Sequence, residues 1–316
     1  MIKRRDVVKF EERPVVRSLD MASLVDDFLK AQDIRPVSKR LYKVGVETFI
    51  SWLAERGQQQ PDRMDILEFK TFLVERKYAA NSINAYLTGV SRFFAFLEGS
   101  RLYPNVARDI KGVRQPKSHL RESLTKEQIW EVLESIDTSS ILGKRNYAMI
   151  ALMAATGLRT CSIIEADFGD LRPKGKEAQL TYRNKGRDSK DEAALIVAHV
   201  LKSLMAYLKT RRNLRPDDPL FVSHGENSRL TTKTVRYVVK DFLRKNGIDD
   251  PRISAHSLRH AFATISLQNG CHLLDVSKAL GHSSVTTTQV YLHSIDRMGE
   301  GAAERFVDFR PEEIQA

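Results

Sequence analysis

Four short segments in the second half of the chain carry residues that are suited to phosphoryl chemistry. They are Ala155–Arg159, His256–His260, Leu280–Ser283 and Thr286–His293, the last of which contains Tyr291. Each segment alone is a weak signal, because a single Arg usually lies at a surface and a single His or Tyr usually packs against a core. Two Arg, two His and one Tyr in this order make the functional interpretation much stronger.

The chemistry that these residues suit is cleavage of a phosphodiester. Its pentavalent transition state gathers negative charge on the non-bridging oxygens, which the guanidinium groups of Arg159 and Arg259 can clamp with bidentate hydrogen bonds. Tyr291 can supply a phenolate nucleophile and a covalent intermediate that stores the bond energy. The imidazoles of His256 and His282 can accept the phenol proton or stabilise the phosphate, and a separate acid must protonate the leaving oxygen.

Zinc binding is an alternative for two of these residues. His256 and His260 are four residues apart, so they would share one face of a helix. The metalloprotease pattern requires Glu directly after the first His, and this chain has Ser257 there. Because no Cys or acidic cluster nearby completes a tetrahedral set of ligands, the sequence predicts neither a metal nor a cofactor.

The first hundred or so residues predict a helical domain that spans residues 18–110. Apolar residues recur there at helical spacing. Four helices are expected: Ser18–Gln32, Ser38–Arg56, one opened by Pro61, and one that is capped by Asn81 or Ser82 and runs to Glu98. Short connections between them favour a compact bundle.

The polar and basic residues 111–122, which include Pro116, predict a linker before a second domain at residues 123–296. Thr125 would cap the first helix of that domain, and a buried helix should follow at Asn146–Thr156. Gly157 suits a chain reversal that would project Arg159 into a cleft.

Two short strands are expected next, at Ala178–Tyr182 and Ala193–Val197, with a polar turn between them. The chain from Val200 onward should be mostly helical. The expected fold class is therefore mainly α, with a small β-sheet in the second domain. Residues 297–316 form a C-terminal tail.

Composition limits the class of protein and its partners. The net charge is +11, with 51 Lys and Arg against 40 Asp and Glu, which favours a polyanionic partner such as nucleic acid. The only cysteines, Cys161 and Cys271, are interpreted as reduced packing residues. No apolar stretch is long enough to span a bilayer, and no secretory signal follows Met1, so we expect a cytoplasmic protein without membrane contact.

Taken together, the four segments resemble the conserved boxes of the tyrosine recombinases, the phage-integrase and Xer-type family. The matching stretches are Thr156–Arg159, His256–Thr264, Leu280–Ser284 and Thr287–Tyr291. With the N-terminal helices, the resemblance covers most of the chain.

The resemblance implies a catalytic role for each matching residue. Arg159 and Arg259 would clamp the scissile phosphate, and His256 would give acid–base support between them. His282 would hydrogen-bond the phosphate or the leaving oxygen. Tyr291 would attack, leaving a 3′-phosphotyrosine and a free 5′-hydroxyl.

The family also has a general-acid lysine on a β-hairpin after its first Arg. Lys185 is the candidate here and Lys190 the runner-up. Two positions depart from the family's pattern. Asn184 stands where Gly usually precedes the lysine, and we expect it to tolerate left-handed backbone geometry. Ser162 stands where Glu usually supports the first Arg, which leaves open how Arg159 is held.

His260 lies inside the second box, and we expect it to support the catalytic residues rather than to act itself.

The implied architecture is a two-domain clamp around double-stranded DNA, built from a helical core-binding (SAM-like) domain and an α+β catalytic domain. Such recombinases act as a tetramer that exchanges strands through a Holliday junction. A related recombinase or an accessory protein is a further expected partner. The C-terminal tail either docks on a neighbouring subunit or is a frayed terminus.

Three other functions are less favoured by the sequence. A DNA-binding regulator without cleavage would not need the intact set of catalytic residues. A type IB topoisomerase shares the chemistry, but the density of Xer-like boxes and the small N-terminal domain disfavour it. A metal-dependent nuclease would need clustered carboxylates near the boxes. The sequence does not separate chromosome resolution from integration of a mobile element.

Overall fold

The computed structural model describes residues 20–114, 123–184, 189–223 and 228–296. The chain divides into two compact units, an N-terminal unit of residues 1–117 and a C-terminal unit of residues 118–316. The described elements are mainly helical and include one small antiparallel sheet, as the sequence predicts. The predicted tail and residues 115–122 of the predicted linker lie outside the described residues.

Four helices form the described part of the N-terminal unit. They are α1 (Met21–Ala31), α2 (Pro36–Glu55), α3 (Arg63–Glu75) and α4 (Ala80–Gly99). Their buried faces meet in a core rich in aromatic rings, including Phe28, Phe49, Trp52, Phe69 and Phe94. Burial of such large rings supplies most of the driving force for packing the helices together.

The four predicted helix starts of this unit are each wrong by two or three residues. The third helix begins at Arg63 rather than Pro61, because Asp62 caps it and exchanges hydrogen bonds with Asp65 in a capping box. The fourth begins at Ala80, and its N-cap residue Ala79 makes no side-chain capping bond. A search for polar capping residues therefore misses this start.

Helices α2 and α4 approach each other closely at two glycines. A Cβ atom added to Gly45 would lie 2.7 Å from the Tyr86 Cα atom, and one added to Gly89 would lie 3.0 Å from the Tyr42 carbonyl oxygen. Both contacts are with backbone, which cannot yield as a flexible side chain would. The two longest helices of this unit can therefore pack closely only because Gly45 and Gly89 have no side chains.

The start of the predicted linker is attached to the N-terminal unit. The Asn84 side chain donates to the Val113 carbonyl (3.1 Å) and accepts from the Val113 amide (2.7 Å). The Lys70 ammonium donates to the Lys111 carbonyl (2.8 Å). These bonds fix residues 111–113 on helices α3 and α4.

The C-terminal unit contains eight described α-helices and three strands. In chain order they are α5 (Lys126–Glu134), α6 (Ile141–Thr156), α7 (Thr160–Glu165), β1 (Leu171–Lys174), β2 (Glu177–Tyr182), β3 (Glu192–Ile196), α8 (Ala198–Leu208), α9 (Thr232–Lys245), α10 (Ala255–Gln268), α11 (Leu273–Ala279) and α12 (Thr286–Asp296). A single 3₁₀ turn, Phe168–Asp170, precedes β1.

Helix α6 is the central element of this unit. Residues on several of its faces, among them Ala148, Met149, Ile150 and Leu152, are fully buried. A helix that is apolar nearly all round must be surrounded by other elements, and α6 packs against α5, α8, α10 and β3. It therefore carries its C-terminal end, the start of the first sequence box, into the middle of the unit.

The sheet has the order β1-β2-β3, with both pairs antiparallel. Strands β2 and β3 match the predicted strands within one residue at each end. Strand β1 was not predicted, because it has only four residues and contains Pro173, which suits an edge strand that need not donate on both sides.

Within the described ranges, no helix combines the length and apolar character needed to cross a bilayer.

The close crossing of α2 and α4 predicts that Gly45→Ala destabilises the N-terminal unit by roughly 1–3 kcal/mol, since the new methyl group overpacks a backbone contact. Urea unfolding followed by Trp52 fluorescence in a Trp130→Phe background measures this. Gly99→Ala is the matched control, because no atom lies within 4 Å of its added Cβ. An equal change in both variants would contradict the packing argument.

Candidate active site

Arg159, the first of the two candidate arginines, follows a left-handed turn. Helix α6 ends at Gly157, which has φ 62° and donates its amide hydrogen to the Met153 carbonyl (3.0 Å). A Cβ atom on Gly157 would lie 2.6 Å from the Phe262 ring and 2.8 Å from the Leu280 side chain. The predicted chain reversal is thus confirmed, and it leads directly to Arg159 at the start of α7.

The second arginine is almost fully buried in the first half of α10. Arg259 is 3% exposed, and it donates from Nη1 to the Gly157 carbonyl (2.8 Å) and from Nη2 to the Leu280 carbonyl (2.7 Å). Burial first, and then repulsion from Arg159, lower the pKa of Arg259 to about 10. The guanidinium is still protonated at neutral pH, and three of its five N–H groups remain available to other acceptors.

A second glycine turn carries His282, the histidine of the third sequence box. Helix α11 ends in a Schellman motif: the Gly281 amide donates to the Lys278 carbonyl (2.8 Å), and the His282 amide donates to the Ser277 carbonyl (3.0 Å). Gly281 has φ 60°, which only glycine adopts at little cost. The turn carries His282, whose Nδ1 lies 2.8 Å from the Thr288 hydroxyl oxygen.

His282 is held neutral by its surroundings. Its pKa is lowered to about 4, first by burial and then by the positive charges of Arg259 and Arg159 and by His256. Hydrogen bonds join the same segments: Arg259 donates to the Gly157 and Leu280 carbonyls, and Arg159 is linked through Asn184 to the Gly281 carbonyl. The residues from three separate sequence boxes therefore share one site.

The tyrosine of the last box lies beside them. Tyr291, on α12, is 6% exposed and packs with Ala263, Val276 and Leu280. The His260 ring lies between two catalytic candidates: its centre is 5.1 Å from that of Tyr291 and 4.8 Å from that of His256. The predicted sharing of a helix face by the two histidines is confirmed.

The two departures from the family's pattern lie next to Arg159. Its Nη1 donates to the Asn184 side-chain oxygen, and the Asn184 amide nitrogen donates to the Gly281 carbonyl (2.7 Å). The Ser162 hydroxyl donates to the Arg183 carbonyl (3.0 Å). Asn184 does not have a positive φ, so its tolerance of left-handed geometry is not needed here; its side chain makes the contact to Arg159.

Of the two candidate general acids, Lys185 lies outside the described residues. Lys190 is bound by the carboxylates of Asp167 (2.6 Å) and Asp170. Burial opposes its charge, but hydrogen bonds to these carboxylates outweigh that effect and raise the pKa of Lys190. A lysine so held is a poor proton donor, which favours Lys185.

Sequence reasoning missed two residues at this site. Tyr182 ends β2, and its hydroxyl lies 3.3 Å from where a Gly281 Cβ would stand. Burial raises the pKa of Tyr182, Glu192 raises it further, and the two active-site arginines oppose the shift. Thr288 is fully buried against His282. Thr288 lies inside the last box and Tyr182 lies two residues before Asn184, but neither residue type alone indicates a role at the site.

Two further sequence expectations can be compared with the structure. Cys161 and Cys271 are both free thiols, but Cys271 is exposed, so its interpretation as a packing residue is wrong. In the part of the chain that the structure describes, no group of three or more His, Cys, Asp or Glu is arranged to hold a metal ion.

One buried and one half-buried arginine, a neutral histidine and a tyrosine around one turn define an enzyme that attacks phosphodiesters through a tyrosine. Comparison with known proteins gives the same class. Residues 122–298 match the phage integrase family, and residues 23–100 match the phage integrase N-terminal SAM-like domain.

Similar proteins of known identity extend over most of the chain. Tyrosine recombinase XerC of Herpetosiphon aurantiacus is 30% identical over 262 residues, 80% of this chain and 83% of that protein. Tyrosine recombinase XerD of Pseudomonas putida is 30% identical over 283 residues, 85% of this chain and 92% of that protein. The crystal structure of the XerH recombinase bound to palindromic difH substrate has a similar fold, with a TM-score of 0.73 and 23% identity over 90% of this chain and 84% of that one.

The chain belongs to the phage integrase family and is a tyrosine recombinase. It is an enzyme that acts on DNA, breaking and rejoining strands in site-specific recombination. The expected family, fold class and reaction are confirmed.

The low pKa of His282 predicts a pH dependence of stability. In the unfolded chain this histidine has a pKa of 6.5, whereas folded His282 has a pKa of about 4. Between these two pH values the unfolded state binds more protons than the folded state. Stability therefore falls as the pH falls from about 6.5 to about 4, and this contribution is constant above pH 6.5. Urea unfolding at pH 7.5 and pH 5 should show a smaller drop in His282→Gln than in the wild type.

Substitution of the exposed His199 by Gln is the control for that measurement. An unchanged pH dependence in His282→Gln would contradict the neutral state assigned to His282.

Proposed function

We propose that Tyr291 attacks the scissile phosphate of duplex DNA and forms a 3′-phosphotyrosine, with Arg159 and Arg259 holding the phosphate. The observation that supports this most is the attachment of both guanidinium groups to one turn. Arg259 donates to the Leu280 carbonyl, and Arg159 is linked through Asn184 to the Gly281 carbonyl. Their free N–H groups then converge on one anion.

The two arginines stabilise charge that grows during the reaction. Because they repel each other while empty, an anion between them relieves the repulsion that lowers the pKa of Arg259. The pentavalent transition state carries more charge on its non-bridging oxygens than the ground state does, so the clamp favours it. Each such preorganised donor is worth about 10²–10³ in rate.

His282 contributes a neutral hydrogen-bond donor. When the Thr288 hydroxyl donates to Nδ1, the ring proton resides on Nε2 and is directed to the phosphate or the leaving oxygen. A neutral ring adds a hydrogen bond without a third repelling charge. His256, which is exposed in the first turn of α10, gives acid–base support between the two arginines.

Protonation of the departing 5′ oxygen is assigned to Lys185. In the sequence, Lys185 directly follows Asn184, the residue whose side chain contacts Arg159. The engagement of Lys190 with Asp167 and Asp170 supports this choice. Rejoining is the reverse reaction, in which a 5′-hydroxyl attacks the phosphotyrosine.

The assembly that we propose is a tetramer on two DNA duplexes, which exchanges strands through a Holliday junction. The helical domain of residues 18–110 and the catalytic domain of residues 123–296 would enclose the duplex, and the linker of residues 111–122 would follow its backbone. The net charge of +11 supports contact with a polyanion over both domains.

The proposed nucleophile predicts a covalent adduct. A suicide substrate with a nick beside the cleavage point, incubated in EDTA, should trap protein on DNA in a band that denaturing electrophoresis resolves. Tyr291→Phe should abolish that band, because a phenyl ring has no oxygen to attack with. The band should persist in EDTA, since no step is assigned to a metal.

Tyr182→Phe is the comparison variant. Tyr182 is the other phenol next to the arginines, but it is buried in the main core, and burial raises its pKa. An adduct that survives in Tyr291→Phe and disappears in Tyr182→Phe would reverse the assignment. DNA binding without any adduct would favour a regulator, EDTA sensitivity would favour a nuclease, and relaxation without exchange between duplexes would favour a topoisomerase.

A further inference from the structure

The side chain of Asn184 connects the first catalytic arginine to the turn that holds the second. Asn184 is 8% exposed. Its Oδ1 accepts from Arg159 Nη1, and its Nδ2 donates to the Gly281 carbonyl at 2.7 Å. The adjacent Leu280 carbonyl accepts from Arg259. One short amide therefore bridges residues that are far apart in the sequence.

An asparagine is chemically suited to this position. The amide has an acceptor and a donor on one planar group, so it can serve Arg159 and a carbonyl at the same time. Aspartate would keep the acceptor but lose the donor, and its charge would compete with a phosphate for the guanidinium. Alanine would lose both bonds and leave the Gly281 carbonyl without its partner.

The fit around Asn184 is tight on the side of the turn. A Cβ atom on Gly281 would lie 2.5 Å from Asn184 Nδ2. The missing side chain of Gly281 thus allows two things, the left-handed turn and the approach of the amide. Movement of Asn184 would be transmitted directly to the turn that carries His282.

The backbone next to Asn184 is also fixed. Ser162 is 1% exposed, and its hydroxyl donates to the carbonyl of Arg183 at 3.0 Å. Ser162 belongs to α7, the helix that Arg159 begins. The segment after β2 and the start of α7 are therefore joined by two hydrogen bonds: Ser162 donates to Arg183, and Arg159 donates to Asn184.

We propose that Asn184 is a positioning residue, which holds the Arg159 guanidinium in register with Arg259 so that both meet the same phosphate. The proposal rests on the proposed function of the pocket as the cleavage site. Ser162 fixes the segment after β2, so that the Asn184 amide can reach both the Arg159 guanidinium and the Gly281 carbonyl.

The test is single-turnover cleavage of the suicide substrate at saturating DNA, with DNA affinity measured separately. Asn184→Ala should cleave about 10- to 100-fold more slowly, because a small misplacement of a catalytic group is enough for such a loss. DNA affinity should change by less than about threefold, which is smaller than the tenfold lower limit expected for the loss of cleavage rate. Asn184→Asp should also be slow, since it keeps the size of the side chain but loses the donor.

A neutral substrate separates positioning from general damage. With a methylphosphonate at the scissile position, one anionic oxygen is gone and the clamp matters less. The ratio of methylphosphonate to phosphate cleavage should therefore rise in Asn184→Ala. Because both rates come from one protein sample, a reduced folded fraction cancels in the ratio.

The matched control is Asn146→Ala. Asn146 is also a buried asparagine whose Oδ1 accepts from a guanidinium, that of Arg145, at 3.1 and 2.8 Å from its Nε and Nη2. It belongs to α6 near the end opposite Gly157. Its loss should affect stability and leave the methylphosphonate ratio at the wild-type value.

Three outcomes would overturn the proposal: a cleavage rate in Asn184→Ala equal to that of Asn146→Ala, an unchanged methylphosphonate ratio, or losses that multiply fully in Arg159→Ala/Asn184→Ala. The last would mean that Asn184 does not act through Arg159. If the wild type and Asn146→Ala form no adduct at all, the proposed function fails instead, so the two failures are distinguishable.

Discussion

Two guanidinium groups that repel each other, Arg259 buried and Arg159 half-buried, are the constraint on which the rest of the site depends. Arg259 is nearly inaccessible, and burial together with the charge of Arg159 brings its pKa down to about 10. Within the described residues, both groups are held by carbonyl or amide oxygens rather than by carboxylates. These neutral oxygens accept hydrogen bonds from some of the guanidinium N–H groups but do not neutralise the positive charge. The charge therefore remains available to bind an anionic phosphate.

The carbonyl groups that hold Arg259 belong to two turns at the ends of helices. Gly157 ends α6, and Leu280–Gly281 ends α11. Both glycines have positive φ, and an added Cβ at either one would collide with neighbouring side chains. The same turns deliver Arg159 and His282 to the site. The glycine turns that end these two helices thus bring together residues that are more than a hundred positions apart in the sequence.

Much of this could be predicted because the signals are local. The reversal at Gly157 and the shared face of His256 and His260 follow from backbone geometry and helical spacing, and the capping box of Thr125 follows from its neighbours. The exact start of α4 could not be predicted, because its cap makes no side-chain bond. Strand β1 was missed since four residues containing a proline carry too little pattern.

The support of Arg159 shows the limit most clearly. Ser162 and Asn184 depart from the family's pattern, but neither residue type indicates by itself which groups the side chain contacts. Their function depends on contacts across the fold, from Asn184 to Gly281 and from Ser162 to Arg183. Sequence spacing cannot reveal these contacts, because the residues are brought together by the antiparallel sheet and by the packing of α7 rather than by their positions along the chain.

The central claim is that Arg159 and Arg259 receive one phosphate. A crystal structure of Tyr291→Phe bound to its uncleaved duplex tests it most directly. The account predicts that both guanidinium groups donate, at about 2.7–2.9 Å, to non-bridging oxygens of the same phosphate, with His282 beside it. Guanidinium groups that contact different phosphates, or an Arg159 that faces away from the DNA, would contradict it.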